Sequence, residues 1–206
     1  GMSRGLYDTF PVFREALDRC AALLAPVLRQ PLLEVLYPAE GQASPIDETA
    51  WTQPALFAVE YALTELWKSV GVVPQAVMGH SLGEIVAACV AGVFSLPEAL
   101  RLVADRARLM QSLPGGGAMA AVMAPLERVE ALLAGASAGV SIAAINGPAQ
   151  TVVSGSSAAV DALCKALEGE GVACRRLPVS HAFHSSLVEP ILDEFEKAAS
   201  AVAFAS

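Results

Sequence analysis

The pentapeptide Gly79-His80-Ser81-Leu82-Gly83 constrains this chain more than any other feature. It stands between a short apolar run, Gln75 to Met78, and the stretch LGEIVAACVAGVF, which is apolar nearly all round. The first run, bounded by Pro74 and Gly79, predicts a buried strand, and the second predicts a central buried helix. A strand that bends through G-x-S-x-G into a helix turns sharply, and its glycines keep side chains clear of the serine. The hydroxyl then projects from the strand end. The helix start offers the Leu82 backbone N–H and the positive end of a dipole to an oxyanion. An ordinary glycine-rich turn is the plainer alternative, and the strand-then-helix context argues against it.

A serine nucleophile needs a base. The chain has three histidines, His80, His181 and His184. His80 adjoins the serine, so its side chain is expected to point away from Oγ. His181 and His184 follow a predicted strand, and either can return to the turn. Their H-x-x-H spacing lacks the cysteine or acid cluster that would complete a metal site, so no metal is expected.

Periodicity singles out Arg106. On a helix opened by the capping box Ser95-Leu96-Pro97-Glu98, residues Ala99, Leu102, Val103, Arg106 and Met110 share one face. Arg101, Asp105 and Arg108 share the opposite face, where Arg101 and Asp105 are spaced to pair. Arg106 therefore points into the apolar side, where a guanidinium needs an anionic partner. That partner is either a structural carboxylate or the carboxylate of a substrate held bidentately.

Upstream, Tyr7 to Leu28 reads as one or two helices, and Thr52-Gln53-Pro54 reads as a helix start running to about Ser69. The Pro114-Gly115-Gly116-Gly117 cluster marks a boundary. Beyond it come strand 118–123, helix 125–134, strand 140–145, strand 150–154, helix 156–169 and strand 172–179. This β-α-β-β-α-β order predicts a ferredoxin-like lobe over 117–179, inserted between 1–116 and 180–206.

With 206 residues and 54% hydrophobic composition, the chain can build one sizeable core or a core with a small lobe. Its mean hydropathy of +0.51 raises the question of a membrane. The longest apolar run, Ile85 to Phe94, falls short of the about 20 residues a bilayer demands. No secretory leader pattern is present, so a cytoplasmic location and no membrane partner are expected. A net charge of −8 speaks against nucleic acid. The four cysteines are scattered without a C-x-x-C pair and read as buried free thiols.

Together, Gly79-His80-Ser81-Leu82-Gly83-Glu84, the stretch Arg106 to Gln111 and His181-Ala182-Phe183-His184-Ser185 resemble the acyltransferase family. That family includes malonyl-CoA:acyl-carrier-protein transacylases and the acyltransferase domains of modular polyketide synthases. The segments Leu6-Tyr7-Asp8 and Thr52-Gln53-Pro54-Ala55-Leu56 are similar to the polyketide synthase branch. The resemblance implies an α/β fold, with an α/β-hydrolase-like larger lobe carrying the nucleophile elbow and an inserted ferredoxin-like lobe. It implies no bound cofactor and a ping-pong transfer. Ser81 takes the acyl group from an acyl-CoA, His184 acts as base, and the acyl group passes to the phosphopantetheine thiol of an acyl carrier protein. Arg106 corresponds to the arginine that holds the extender unit's free carboxylate; His80, Leu82, His181 and Phe183 complete the substrate-contacting set. The H-A-F-H form of 181–184 resembles that of malonyl-selecting members, because Phe183 fills space that an α-methyl branch would need. Neighbouring polyketide synthase domains such as a ketosynthase are implied partners.

The chain does not match the family's preceding Gly-rich strand and loop with its glutamine, nor its following strands, and it starts at Gly1. A piece of a longer polypeptide, incomplete at both ends of the larger lobe, is the expectation. Two other readings stand beside the transferase. A serine hydrolase or thioesterase would need an acid between serine and histidine, for which Asp161 and Glu168 are available. A non-catalytic packing module of a megasynthase would need neither.

Overall fold

The computed structural model describes residues 2–136, 139–179 and 181–205. The chain divides into two compact units, Gly1–Gln111 with Glu194–Ser206, and Ser112–Asp193.

In the first unit the regular elements among the described residues are helical. Up to Gln111 they are α1 (Arg4–Thr9), α2 (Pro11–Leu24), α3 (Leu32–Leu36), a 3-10 turn (Pro45–Asp47), α4 (Thr49–Ser69), α5 (Leu82–Val90) and α6 (Leu96–Gln111). Pro11 opens α2, where its fixed φ suits the first turn and its missing N–H costs nothing. Phe13, Leu17, Cys20 and Leu24 then fall on one buried face. They pack with Phe57, Ala58 and Ala62 of α4 and with Ala99, Leu100 and Val103 of α6 in one core. At the start of α6 the Glu98 carboxylate reaches back to accept the Ser95 N–H at 3.4 Å, the glutamate half of the expected capping box, and Ser95 Oγ donates to the same oxygen at 3.0 Å.

Three local expectations change. Helix α4 begins at Thr49, so Pro54 lies inside it rather than at its start. The Thr52 hydroxyl donates to the Glu48 carbonyl within the first turn instead of capping it. Helix α5 stops at Val90, short of the whole apolar stretch; it buries Leu82, Val86, Ala87 and Cys89, leaves Gly83, Ile85, Ala88 and Val90 half-buried, and exposes Glu84. Gln75 to Met78 carries no regular structure, and Met78 is 88% exposed. Ladder hydrogen bonds from a neighbour make an extended run into a strand, and among the described residues the one sheet belongs to the other unit.

The second unit holds β1 (Gly117–Val122), α7 (Leu126–Ala136), β2 (Val140–Gly147), β3 (Gln150–Ser156), α8 (Ser157–Gly169) and β4 (Cys174–Arg176). The strands pair antiparallel in the order β2-β3-β1-β4, the split βαβ arrangement of a ferredoxin-like lobe. Ala118, Ala120, Val122 and Val153 pack against Val129 of α7 and Val160, Leu163 and Leu167 of α8. The unit extends beyond 117–179 at both ends. Its outer residues are bound to it: His181 Nε2 lies 3.0 Å from the Leu113 carbonyl oxygen, and Gly117 abuts the Ala182 backbone.

Helix α9 (Leu192–Ser200) leads the chain back into the first unit's residues. There Ala205 N–H donates to the Val93 carbonyl at 2.7 Å, and Phe204 meets Phe94 edge-on at 6.0 Å.

Candidate active site

The first unit places Ser81 at the N-cap of α5 with φ 54° and ψ −109°. A non-glycine residue held at positive φ stores strain of about 1–3 kcal/mol, a cost associated with functional turns. The surrounding sequence enforces it. A Cβ on Gly79 would sit 1.9 Å from the Gly83 carbonyl carbon and 2.1 Å from Glu84 N, so only glycine fits at 79. Gly83 is different: its Cβ would meet nothing nearer than Glu60 Oε2 at 3.8 Å, so space alone does not demand glycine there. Glu84 closes the turn by accepting the Gly79 N–H at 3.1 Å. The Leu82 N–H opens α5, among the donors that a helix leaves without an intrahelical acceptor.

Arg106 reaches this turn from α6. Its Nη2 donates to Ser81 Oγ at 3.3 Å, and its Nη1 donates to Gln53 Oε1 of α4. The other residues of its face, Ala99, Leu102, Val103 and Met110, are buried as the periodicity predicts. Burial pulls the Arg106 pKa below its usual value, although a guanidinium keeps its proton in proteins. The outward face differs from expectation in one pairing. Asp105 accepts from Arg108 at 3.5 Å, and Arg108 also reaches Glu194 at 2.9 Å, whereas Arg101 turns to the Ala201 carbonyl. Arg108 lies three residues on from Asp105, within reach on the same helix surface.

Beside the turn, α4, α5 and residues 72–80 enclose a largely apolar groove of about 610 Å³. Glu60, Trp67, Met78, Gly79, His80 and Val86 are among its walls, so the exposed His80 belongs to the groove's lining. Burial raises the Glu60 pKa.

The second unit carries the other candidates. His181 is 6% exposed, its Nε2 within hydrogen-bond distance of the Leu113 carbonyl. A carbonyl only accepts, so Nε2 carries the proton and is committed there. His184 is exposed and sits at φ 59°, the second strained non-glycine residue of the set. The turn around it is tied by Ser185, whose Oγ donates to the Ala182 carbonyl at 2.7 Å and accepts from Leu187 N–H at 3.3 Å. Phe183 is half-buried with its ring 6.0 Å from that of His181.

The acids a hydrolase would recruit are engaged elsewhere or open to solvent. Asp161 pairs with Arg176 at 3.1 Å, and Glu168 is exposed on α8. The cysteines are free thiols, and burial pushes Cys20 up to about 12 and Cys89 to about 11, far from thiolate chemistry. Among the described residues no group of three or more His, Cys, Asp or Glu could hold a metal ion, and no helix is long and apolar enough to cross a membrane.

Glu84 in the turn and Gln53 on α4 are functional neighbours that the sequence does not single out. The inward Arg106 predicts an anionic partner, and the structure differs: the acceptors it supplies, Gln53 Oε1 and Ser81 Oγ, are both neutral.

Residues 1–205 match the family model described as an acyl transferase domain. The chain is 49% identical to polyketide synthase GfsA of Streptomyces halstedii, covering 100% of this chain and 3% of that protein. It is 50% identical to mycoketide-CoA synthase of Mycobacterium tuberculosis, over 98% of this chain and 5% of the relative. Among solved structures, the acyltransferase domain from the second module of the salinomycin polyketide synthase superposes with a TM-score of 0.91 at 47% identity, covering 100% of this chain and 48% of that one. The malonyl CoA-acyl carrier protein transacylase of Coxiella burnetii gives 0.90 at 32% identity, over 100% of this chain and 66% of the other. The chain thus spans a few per cent of the length of these large relatives and one half to two thirds of the similar structures.

Proposed function

This chain belongs to the acyl transferase domain family, and from that premise we propose that it moves a malonyl unit from malonyl-CoA to the phosphopantetheine thiol of an acyl carrier protein in polyketide assembly. The observation that carries the reading is the half-buried Arg106 donating to Ser81 Oγ at 3.3 Å. A cation at the nucleophile suits an acyl group that bears its own carboxylate.

In this reading Ser81 Oγ attacks the thioester carbonyl while His184 takes the hydroxyl proton. The Leu82 N–H stabilises the oxyanion of the tetrahedral intermediate. The carbon–sulfur bond breaks, the proton passes from His184 to the departing CoA thiolate, and a malonyl ester remains on Ser81. The carrier's thiol then attacks that ester as His184 accepts its proton, and the hydroxyl is restored as the ester bond breaks. No cofactor takes part.

Arg106 holds the free carboxylate, His80 lines the approach, and His181 orients the turn that bears Phe183. The Phe183 ring disfavours an α-methyl branch. One methyl group discriminates by about 1–3 kcal/mol, so a preference for malonyl over methylmalonyl is expected and not an absolute bar. The partners are acyl-CoA, an acyl carrier protein and neighbouring synthase domains such as a ketosynthase, in the cytoplasm.

Intact-mass measurement after incubation with malonyl-CoA tests this. A malonyl adduct that is lost in Ser81→Ala supports transfer. Arg106→Ala is expected to lose malonyl loading by about ten- to hundredfold, the scale of a charge-assisted contact, while simple acyl groups are better tolerated. A wild-type protein that takes up no acyl group refutes the proposal, and equal losses for both acyl classes make Arg106 structural.

A further inference from the structure

We infer that Gln53 is a positioning residue that holds Arg106 at the serine and, being a neutral acceptor, keeps the guanidinium's charge for an incoming carboxylate. The inference rests on the transacylase reading above. Gln53 is 6% exposed on α4. Its Nε2 donates to Thr49 Oγ1 at 2.8 Å and faces Met110 Sδ at 3.2 Å. Both partners accept, so the amide nitrogen is committed to them and the orientation of the amide is set. The reversed amide would press an NH2 group against a guanidinium that has only donors. Oε1 is thereby left facing Arg106, whose Nη1 donates to it. Met110 follows Arg106 by four residues on α6, so one buried amide grips two successive turns of the facing helix.

The chemistry of the acceptor matters as much as its place. Both atoms that receive hydrogen bonds from Arg106, Gln53 Oε1 and Ser81 Oγ, are uncharged. The ion pairs of the described residues involve Arg4, Lys68, Arg108, Arg128 and Arg176, and none involves Arg106. A half-buried cation answered only by dipoles keeps most of its attraction for an anion. A carboxylate at position 53 would answer it permanently, with nearly the same shape. Gln53 therefore sets specificity by what it withholds.

The test measures acylation of Ser81 by malonyl-CoA and by acetyl-CoA in the wild type, Gln53→Glu and Gln53→Met, with melting temperatures for all three. In Gln53→Glu the malonyl-to-acetyl ratio is expected to fall by about tenfold or more, the scale of one charge-assisted hydrogen bond, while acetyl loading changes little. Gln53→Met removes the grip without adding charge. It is expected to raise KM for malonyl-CoA more than it lowers kcat. An unchanged ratio in both variants, parallel losses for both substrates, or loss of folding in both overturns the inference and leaves Gln53 a packing residue. If the wild type itself takes no malonyl group, the transacylase reading fails first. If it does and the ratio holds, only the role of Gln53 fails.

Discussion

In each unit a candidate residue held at positive φ lies close to a glycine that no Cβ could replace, yet the two arrangements are built over very different chain distances. In the first unit Ser81 (φ 54°) depends on Gly79, whose neighbourhood is crowded by Gly83, and the turn is closed by Glu84 five residues from Gly79. In the second, His184 (φ 59°) sits in a turn pressed against Gly117, where a Cβ would lie 2.3 Å from Ala182 N. The neighbouring His181 is anchored 68 residues away on Leu113. A locally built turn is written in consecutive residues and survives as a motif. A turn assembled from distant segments depends on the whole unit being folded.

The sharpest way to break this comparison is to add one methyl group to each glycine. Gly79→Ala is expected to abolish most Ser81 acylation, by about 10²-fold or more, because the added carbon displaces the serine by a fraction of an ångström to an ångström. Its melting temperature should fall only modestly, since the crowding is confined to one turn. Gly117→Ala should do the reverse. Overpacking of about 1–3 kcal/mol falls on the junction of β1 with Ala182, and melting temperature should drop before acylation does. If Gly79→Ala chiefly unfolds the protein, or Gly117→Ala chiefly silences it, the local-versus-distant distinction is wrong.

Core truncations sharpen the same contrast. Phe57 and Leu167 are both fully buried, one in each unit's cluster. Phe57→Ala is expected to cost about 3–5 kcal/mol and Leu167→Ala about 2–5 kcal/mol. Hydrogen exchange should localise the first loss to α2, α4 and α6 and the second to the four-stranded sheet. Exchange that rises equally everywhere in both variants would mean that the units do not open separately.

The smallest effect concerns pH at the tail of the first unit. Hydrogen bonds from Ala203 N–H, at 2.7 Å, and from Ser95 hold the Glu98 carboxyl below its usual pKa. Because the folded-state pKa is depressed, the contribution is present above the unfolded value of 4.5 and is lost as pH falls through the lower folded value. Protection of the Ala203 amide, taken relative to its unprotected exchange rate at each pH, should fall across that acidic window in the wild type. In Glu98→Gln protection should already be low at neutral pH and show no such step.

Much of this was legible in the residues. The capping box, the inward Arg106, the β-α-β-β-α-β order and the glycine-flanked serine are all short-range patterns, set by helical or strand period and by steric crowding within a few residues. Other features were illegible for a common reason. Whether Gln75 to Met78 becomes a strand depends on a ladder partner, which no property of those four residues reveals. Asp105 pairs with Arg108 while Arg101 turns to the Ala201 carbonyl, 100 residues away in the chain, a contact that no helical spacing reveals.

The sequence by itself determined that a serine would stand on a strained turn at a helix start, and that one arginine of α6 would face inward, because both follow from local geometry and periodicity. Only the tertiary structure decided which neutral side chain answers that arginine and which of two histidines is spent on a backbone carbonyl. Those outcomes depend on which distant groups are brought within hydrogen-bond distance, and hydrogen bonds, unlike periodicity, have no signature along the chain.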